Sequence, residues 1–177
     1  EYLTVFDGET GKALKTVDYI PSRGNIAAWG DSYGNRVDRF LACVAYLDGK
    51  HPSAVFCRGY YTRTVIAAWD WDGKELTSRW VFDSEKTDSI NRITNPNALP
   101  YSGQGNHNLR VGDVDGDGCD EITYGSMAIN NDGTGLYTTG MGHGDALHLM
   151  AFYPDSTSLQ LWDVHENKRD GSDFRDA

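Results

Sequence analysis

The sequence is poor in proline and cysteine, has a minority of positive charges, and contains no long apolar run. No segment approaches the ~20 consecutive apolar residues that a membrane-spanning helix needs, and no basic-then-apolar leader opens the chain. We therefore expect no membrane span. Lys and Arg number 16 against 26 Asp and Glu, so the formal net charge is −10. This charge predicts repulsion of nucleic acid and of anionic membranes, so we expect no nucleic-acid partner.

Only three cysteines are present, which fits neither a disulfide scaffold nor the paired C-x-x-C of a zinc site. Cys43 and Cys57 would face each other if a hairpin turn is centred near Gly49 and Lys50, and an exported protein could then join them. The alternative is two buried thiols on adjacent strands.

The residues that are abundant favour an all-β fold. Twenty glycines, ten tyrosines and five tryptophans stand beside five prolines in 177 residues, a composition typical of short strands and tight turns. A strand–turn–strand unit with an acidic or Pro-Asp turn recurs over 40–56, 109–124 and 146–164. Two further hairpins are predicted, one beginning with the strand at 2–6 and one over 65–82. Repeated small sheets indicate β-propeller blades.

About three units are recognisable, whereas a closed propeller has roughly 4–8 blades. We therefore predict a partial propeller over residues 1–177, with long surface loops at about 21–38 and 83–105. Open strand edges in such a fragment predict self-association.

The sharpest local signal is the acidic segment 113–121, which carries five carboxylates in nine residues. Alternating carboxylates converge on one hard cation, and a glycine permits the sharp turn between them. The predicted calcium ligands are Asp113, Asp115, Asp117, the Cys119 carbonyl and Glu121. Tyr124 stands where an EF-hand needs glutamate, and the flanks are strand-like, so a short hairpin loop is expected. The alternative is an ordinary acidic turn.

A second group places histidines and acids at strand boundaries. If corresponding corners of adjacent blades lie close together, one cation could be shared by His107, His143, Asp145 and Glu166. Two imidazoles favour zinc, manganese or nickel by ligand softness. The alternative is that each histidine separately bonds a turn.

A third group combines arginines and tyrosines, which can grip a sugar carboxylate and cover a pyranose ring. The candidate substrate-binding residues are Asn35, Arg36, Arg58, Tyr60, Tyr61 and Arg63. The alternative is that they form internal ion pairs and cross-strand packing.

Several stretches taken together resemble the rhamnogalacturonan lyases of polysaccharide lyase family eleven. The matching segments are 2–8, 29–40, 58–64, 103–108, the acidic loop, 142–147 and 163–167. The resemblance implies an eight-bladed propeller, of which this chain is a part, and cleavage of the rhamnogalacturonan I backbone of pectin by β-elimination. It also implies a secreted, periplasmic or cell-surface location and calcium in both cation sites, against the softness argument for the second. A catalytic base is not assigned. The alternative function is a non-catalytic, calcium-stabilised carbohydrate-binding or interaction module.

Overall fold

The computed structural model describes residues 1–85, 101–166 and 171–177. Within these ranges, no helix has both the length and the apolarity that crossing a membrane requires. The described elements are almost entirely strands, which confirms the all-β prediction. Thirteen strands are present in the described part: β1 Tyr2–Phe6, β2 Ala13–Asp18, β3 Phe40–Ala45, β4 Ser53–Arg58, β5 Val65–Trp71, β6 Leu76–Asp83, β7 Arg110–Gly112, β8 Glu121–Thr123, β9 Met127–Ile129, β10 Gly135–Thr138, β11 Gly144–Met150, β12 Gln160–His165 and β13 Ser172–Asp176.

The strands form successive antiparallel meanders. β3 to β6 make one four-stranded sheet, β7 to β10 a second, β11 to β13 a three-stranded sheet, and β1 pairs with β2. Strands that are adjacent in a sheet are also consecutive along the chain. Each of the three strand–turn–strand units predicted from the sequence is the first hairpin of one of the larger sheets. The sequence pattern therefore located the start of every large sheet.

The main core lies between the first two four-stranded sheets. Cys57, Ile66 and Phe82 from β4 to β6 belong to the same buried cluster as Ile122 and Met127 of the second sheet. β5 is apolar over five consecutive buried residues because both of its faces are covered. Continuous apolar runs are typical of strands buried on both sides.

The hairpin of β1 and β2 covers the other face of the first four-stranded sheet. Leu3, Val5 and Val17 pack against the buried Trp69 and Leu76. The first sheet is therefore sandwiched, whereas the three-stranded sheet keeps one face with exposed aromatic residues, Trp162 and Phe174 among them.

The two cysteines of the first sheet do not face each other. Cys43 lies opposite Val55, and Cys57 lies opposite Leu41, so the two thiols are diagonal neighbours. Both are free, and burial raises the pKa of Cys43 to about 12. The alternative interpretation from the sequence, unbridged thiols on adjacent strands, is the one that the structure has.

The segment predicted as a long loop between β2 and β3 contains two single helical turns. A 3₁₀ turn spans Ile26–Trp29 and is capped by the Asn25 side chain, and α1 spans Gly34–Val37. Trp29 is buried here, and its indole nitrogen donates to the Arg23 carbonyl at 2.7 Å. Most of the second predicted loop, over 83–105, lies outside the described residues.

Candidate cation sites

The acidic loop joins β7 to β8 and gathers three carboxylates. Asp113, Asp115 and Glu121 each offer an oxygen, and these atoms all lie within 4.8 Å of one another. The loop is shaped by its own amides, because Gly116 and Gly118 donate to the two oxygens of Asp113 at 2.7 and 3.1 Å. Both glycines have positive φ values, 82° and 88°, which L side chains rarely adopt.

The surroundings of the Glu121 carboxylate indicate whether this loop could bind a cation. Its side chain is buried, Oε2 accepts from the Val114 amide at 2.9 Å, and Oε1 has no partner. Burial, assisted by the neighbouring aspartates, raises the pKa of Glu121 to about 7. An unpartnered buried oxygen is costly, and a hard dication would satisfy it. The donor set is therefore one that fits calcium.

Two other predicted ligands of this loop are arranged differently. Asp117 accepts from the Cys119 amide at 2.7 Å and is not in the group of three converging carboxylates. A coordinating role for Asp117 and for the Cys119 carbonyl stays a prediction.

The second cluster is assembled by main-chain hydrogen bonds between distant segments. The His107 amide donates to the Gly144 carbonyl at 3.2 Å, and the Glu166 amide donates to the His143 carbonyl at 3.1 Å. His107, His143 and Asp145 thereby offer ligand atoms within 4.8 Å of one another. The two imidazole centroids are 4.7 Å apart. The convergence of these three side chains, expected from the sequence, is present.

The protonation pattern of the histidines fits a metal. His143 Nδ1 donates to the Gly105 carbonyl at 2.7 Å, which leaves Nε2 with a free lone pair. The Nε2 atoms of both His143 and His107 are buried and have no partner. Burial lowers the pKa of each imidazole, and a neutral imidazole is the form that binds metal. Both nitrogens would be satisfied by one cation.

Glu166, the fourth predicted ligand, stands beside the cluster and not within its converging group. Its Oε2 accepts a hydrogen bond from the Tyr61 hydroxyl at 2.7 Å. The Tyr61 ring also packs on His143, with centroids 4.0 Å apart. Burial, with the nearby Glu166, raises the pKa of Tyr61 to about 12, so the phenol is a donor. Tyr61 therefore holds Glu166 next to the histidines.

The predicted sugar-binding residues divide into buried and accessible members. The Arg58 side chain is 0% exposed and bonds both oxygens of Glu1, at 2.7 and 2.9 Å, and Asp38 at 2.6 Å. Its guanidinium is thus occupied by the fold and out of reach of a sugar, which corrects the expectation from the sequence. The physical reason is that its strand position faces the N-terminal segment and not solvent.

The side chains of Tyr60 and Arg63 also make most of their contacts within the protein. The Tyr60 ring is buried against His107 and His143, and Arg63 makes a two-pronged ion pair with Asp83 at 2.9 and 2.5 Å. The accessible members are Asn35, Arg36 and the partly buried Tyr61. The Arg36 guanidinium lies 4.3 Å from the Tyr61 ring centroid, which brings it to the rim of the histidine cluster.

A third polar cluster was not predicted. His165 Nε2 and Asp173 Oδ1 are 2.5 Å apart, and Asn106 donates to Asp163 Oδ1 at 2.7 Å. Arg175 already pairs with Asp173. We interpret this cluster as an internal ion-pair network beneath the second cation site, because Asn106 directly precedes His107. The spacing of Asp163 and His165 on one face of β12 was the available signal.

The comparisons with known proteins agree over the whole chain. The family model described as "Rhamnogalacturonan lyase family 11, C-terminal domain" matches residues 1–177. The curated relatives include the rhamnogalacturonan exolyase YesX and the rhamnogalacturonan endolyase YesW of Bacillus subtilis (strain 168), which are 56% and 51% identical over the full chain. The chain spans 28% and 27% of their lengths.

Solved structures lead to the same family. The crystal structure of exotype rhamnogalacturonan lyase YesX matches with a TM-score of 0.88, covering 99% of this chain and 28% of that one. A Bacillus licheniformis rhamnogalacturonan lyase matches with a TM-score of 0.88 at 56% identity, covering 99% of this chain and 29% of that one. The full-length family match and the two relatives above half identity show that this chain belongs to rhamnogalacturonan lyase family 11, as part of its C-terminal domain.

Proposed function

We propose that the chain is part of a calcium-dependent lyase that cleaves the rhamnogalacturonan I backbone of pectin by β-elimination. The observation that carries the proposal is the pair of buried, unpartnered Nε2 atoms of His107 and His143, within a chain matched over its whole length by lyases. Two buried imidazoles with free lone pairs, and Asp145 close enough to offer a third ligand atom, are a ligand set suited to a cation.

The large sheets serve as blades of a propeller in this proposal. β7, the first strand of its sheet, contacts both β3 and β11, the first strands of the flanking sheets. Meanders stacked through their first strands are the arrangement of adjacent blades. The exposed aromatic face of the three-stranded sheet, with Trp162 and Phe174, is then the surface on which a further blade packs.

In this proposal two calcium ions bind at different places and have different roles. Asp113, Asp115 and Glu121 would hold the first, which fixes the β7–β8 hairpin. His107, His143, Asp145 and Glu166 would hold the second at the junction of two sheets. When bound, a dication neutralises a uronate carboxylate, which makes the neighbouring C5 proton more acidic.

The accessible groups beside the second site would position the sugar. The Arg36 guanidinium stacks on Tyr61 and pairs with Asp31 through one nitrogen at 3.4 Å, and Asn35 next to it is exposed. Arginine binds a carboxylate with two parallel hydrogen bonds, and an aromatic face covers the apolar side of a pyranose. A polymeric pectic substrate favours a secreted, periplasmic or cell-surface location, which we include in the proposal.

Incubation of the chain and of its full-length parent with rhamnogalacturonan I tests the function. β-Elimination leaves a double bond conjugated to the carboxylate, so ultraviolet absorbance should rise with time in calcium. The parent with His143→Ala should lose this activity, whereas the parent with Asp18→Ala, which changes an exposed residue on β2, should keep it. A parent that binds pectin in saturating calcium yet releases no unsaturated ends would instead be a non-catalytic binding module.

A further inference from the structure

Asn106 is a fully buried asparagine in the middle of the segment that carries one half of the histidine cluster. Its side-chain nitrogen donates to Asp163 Oδ1 on β12 at 2.7 Å, and its side-chain oxygen accepts from the Asn108 amide at 2.9 Å. The first bond reaches a strand of the three-stranded sheet, and the second fixes the local turn. The side chain of Asn106 therefore ties the segment before β7 to another sheet.

The main-chain contacts of this segment with β11 are longer than the side-chain bond. Asn106 forms an isolated parallel bridge with Gly144, at the start of β11. The His107 amide donates to the Gly144 carbonyl at 3.2 Å, and the Gly144 amide donates to the Gly105 carbonyl at 3.4 Å. N–H···O bonds are commonest at about 2.9 Å, and a bond to a carboxylate is stronger than one between neutral groups. We therefore expect the bond from Asn106 to Asp163 to contribute most to the position of this segment.

Gly144 provides the space for this hydrogen bond. An added Cβ at Gly144 would stand 2.6 Å from Asn106 Nδ2 and 2.8 Å from Asp163 Oδ1. Gly144 is not among the glycines with positive φ, so its backbone angle does not demand glycine. The lack of a side chain at Gly144 is what lets the asparagine and the aspartate meet.

Both imidazoles of the cluster depend on the main chain that Asn106 holds. His107 is the next residue along the chain. The Gly105 carbonyl, one residue before Asn106, accepts from His143 Nδ1 at 2.7 Å, which leaves His143 Nε2 with the free lone pair. A carbonyl in this position fixes the tautomer and the orientation of a metal-binding histidine. A shift of Asn106 would therefore move one imidazole directly and release the other.

We propose that Asn106, held by Asp163, is the positioning residue of the histidine pair. It places His107 directly and places His143 through the Gly105 carbonyl, and it acts through these two imidazoles without being a ligand itself. The inference rests on the proposed function and deepens it, because it names the residue that arranges this site before a cation binds. Loss of a group that orients metal ligands lowers metal affinity by about 10- to 100-fold.

NMR of the full-length parent with isotope-labelled histidine tests the positioning without any cation. The spectra are recorded after chelation, at a pH where the imidazoles are neutral. Wild-type His143 should be in the Nδ1–H tautomer, because the Gly105 carbonyl accepts that proton. Asn106→Leu should lower the population of this tautomer, because the carbonyl is no longer held in place. A resonance assigned with His143→Ala gives the readout.

Gln160→Leu is the matched control. Gln160 is another buried side-chain amide, it lies on the same strand as Asp163, and it bonds the Ser158 carbonyl at 2.9 Å and not the histidine segment. Its replacement should leave the His143 tautomer as in the wild type. A loss of stability alone would affect both variants, whereas the tautomer should change only in Asn106→Leu.

Calcium titration of the same variants measures the consequence for binding. Asn106→Leu should weaken the calcium that His143→Ala removes by about 10- to 100-fold. It should leave unchanged the calcium that the double variant Asp113→Asn with Asp115→Asn removes. Asp163→Asn keeps an oxygen that accepts from Asn106 and should retain calcium as the wild type does.

An unchanged His143 tautomer in Asn106→Leu, or equal losses of affinity at the two calcium sites, would overturn the positioning role. If no bound calcium depends on His143, the proposed function fails, and the tautomer measurement still decides whether Asn106 positions the histidines. If Asn106→Leu does not fold, Asn106→Ser decides by the same measurements. A serine hydroxyl can still accept from the Asn108 amide but is too short to reach Asp163.

Discussion

The Tyr46 amide donates to Asp120 Oδ2 at 2.7 Å, and the Asp120 amide donates back to the Tyr46 carbonyl at 3.1 Å. This reciprocal pair connects the turn between β3 and β4 to the acidic loop of the next sheet. Gly49 lies at the same junction, where an added Cβ would stand 2.6 Å from the Gly118 carbonyl oxygen. The two hairpins therefore approach as closely as a glycine allows.

Gly49→Ala should destabilise the chain by about 3 kcal/mol, because left-handed strain and a backbone clash add together. Gly11→Ala is a matched control, since Gly11 has φ +69° against +70° for Gly49 but nothing within 4 Å of its added Cβ. It should cost about 1 kcal/mol from strain alone. Urea denaturation measures both, and equal losses would show that the hairpin contact is not tight.

Calcium should stabilise the chain through the acidic loop. At a hundredfold excess over the dissociation constant, one bound ion contributes about 2.7 kcal/mol to the free energy of unfolding. The double variant Asp113→Asn with Asp115→Asn should lose that increment and keep the one from the histidine site. Asp132→Asn alters an acidic turn between β9 and β10 and serves as the control. A melting temperature that does not change on chelation contradicts calcium binding at either site.

Without calcium, Glu121 should make stability fall as pH rises. Its pKa is about 7 in the folded protein against 4.5 unfolded, so the folded state binds more protons between these values. The stability is fully present below pH 4.5 and is lost as the pH rises through about 7. The maximal loss is about 3 kcal/mol, at about 1.4 kcal/mol for each unit of pKa. Glu121→Gln should remove this slope in denaturation curves between pH 4.5 and 8, and a slope unchanged in that variant would assign the effect to another group.

Arg58→Leu should cost about 3 kcal/mol or more, because Glu1 and Asp38 lose a fully buried partner. Arg79→Leu breaks a more exposed pair with Asp70 at 3.0 Å and should cost less than about 1 kcal/mol. Thermal or urea denaturation compares the two. A loss from Arg58→Leu no larger than from Arg79→Leu would mean that the buried guanidinium contributes little.

The strands and the acidic loop could be predicted because their signals are local. The first hairpin of each large sheet alternates apolar and polar residues around a turn, and the Asp113 loop carries its carboxylates within nine residues. The role of Arg58 could not be predicted in this way. Its partners Glu1 and Asp38 are 57 and 20 residues away, and an arginine on a strand has the same sequence pattern whether it meets a sugar or an acid of its own chain.

The histidine cluster could be predicted in part, less directly than the acidic loop but more directly than the role of Arg58. His107 and His143 stand at recognisable strand boundaries, but their convergence depends on main-chain bonds between 105–107 and 143–144, which no short pattern encodes. The hypothesis that corners of adjacent blades lie close together suggested the convergence, and the resemblance to a family supported it.

His107 precedes β7 and His143 precedes β11, so the imidazoles are carried by separate sheets. A metal bound by both imidazoles would connect the two sheets. We expect mild denaturant, or a substitution at Gly144, to separate the two imidazoles and so to lower the affinity for such a metal. Metal affinity would then report how closely the two sheets are joined.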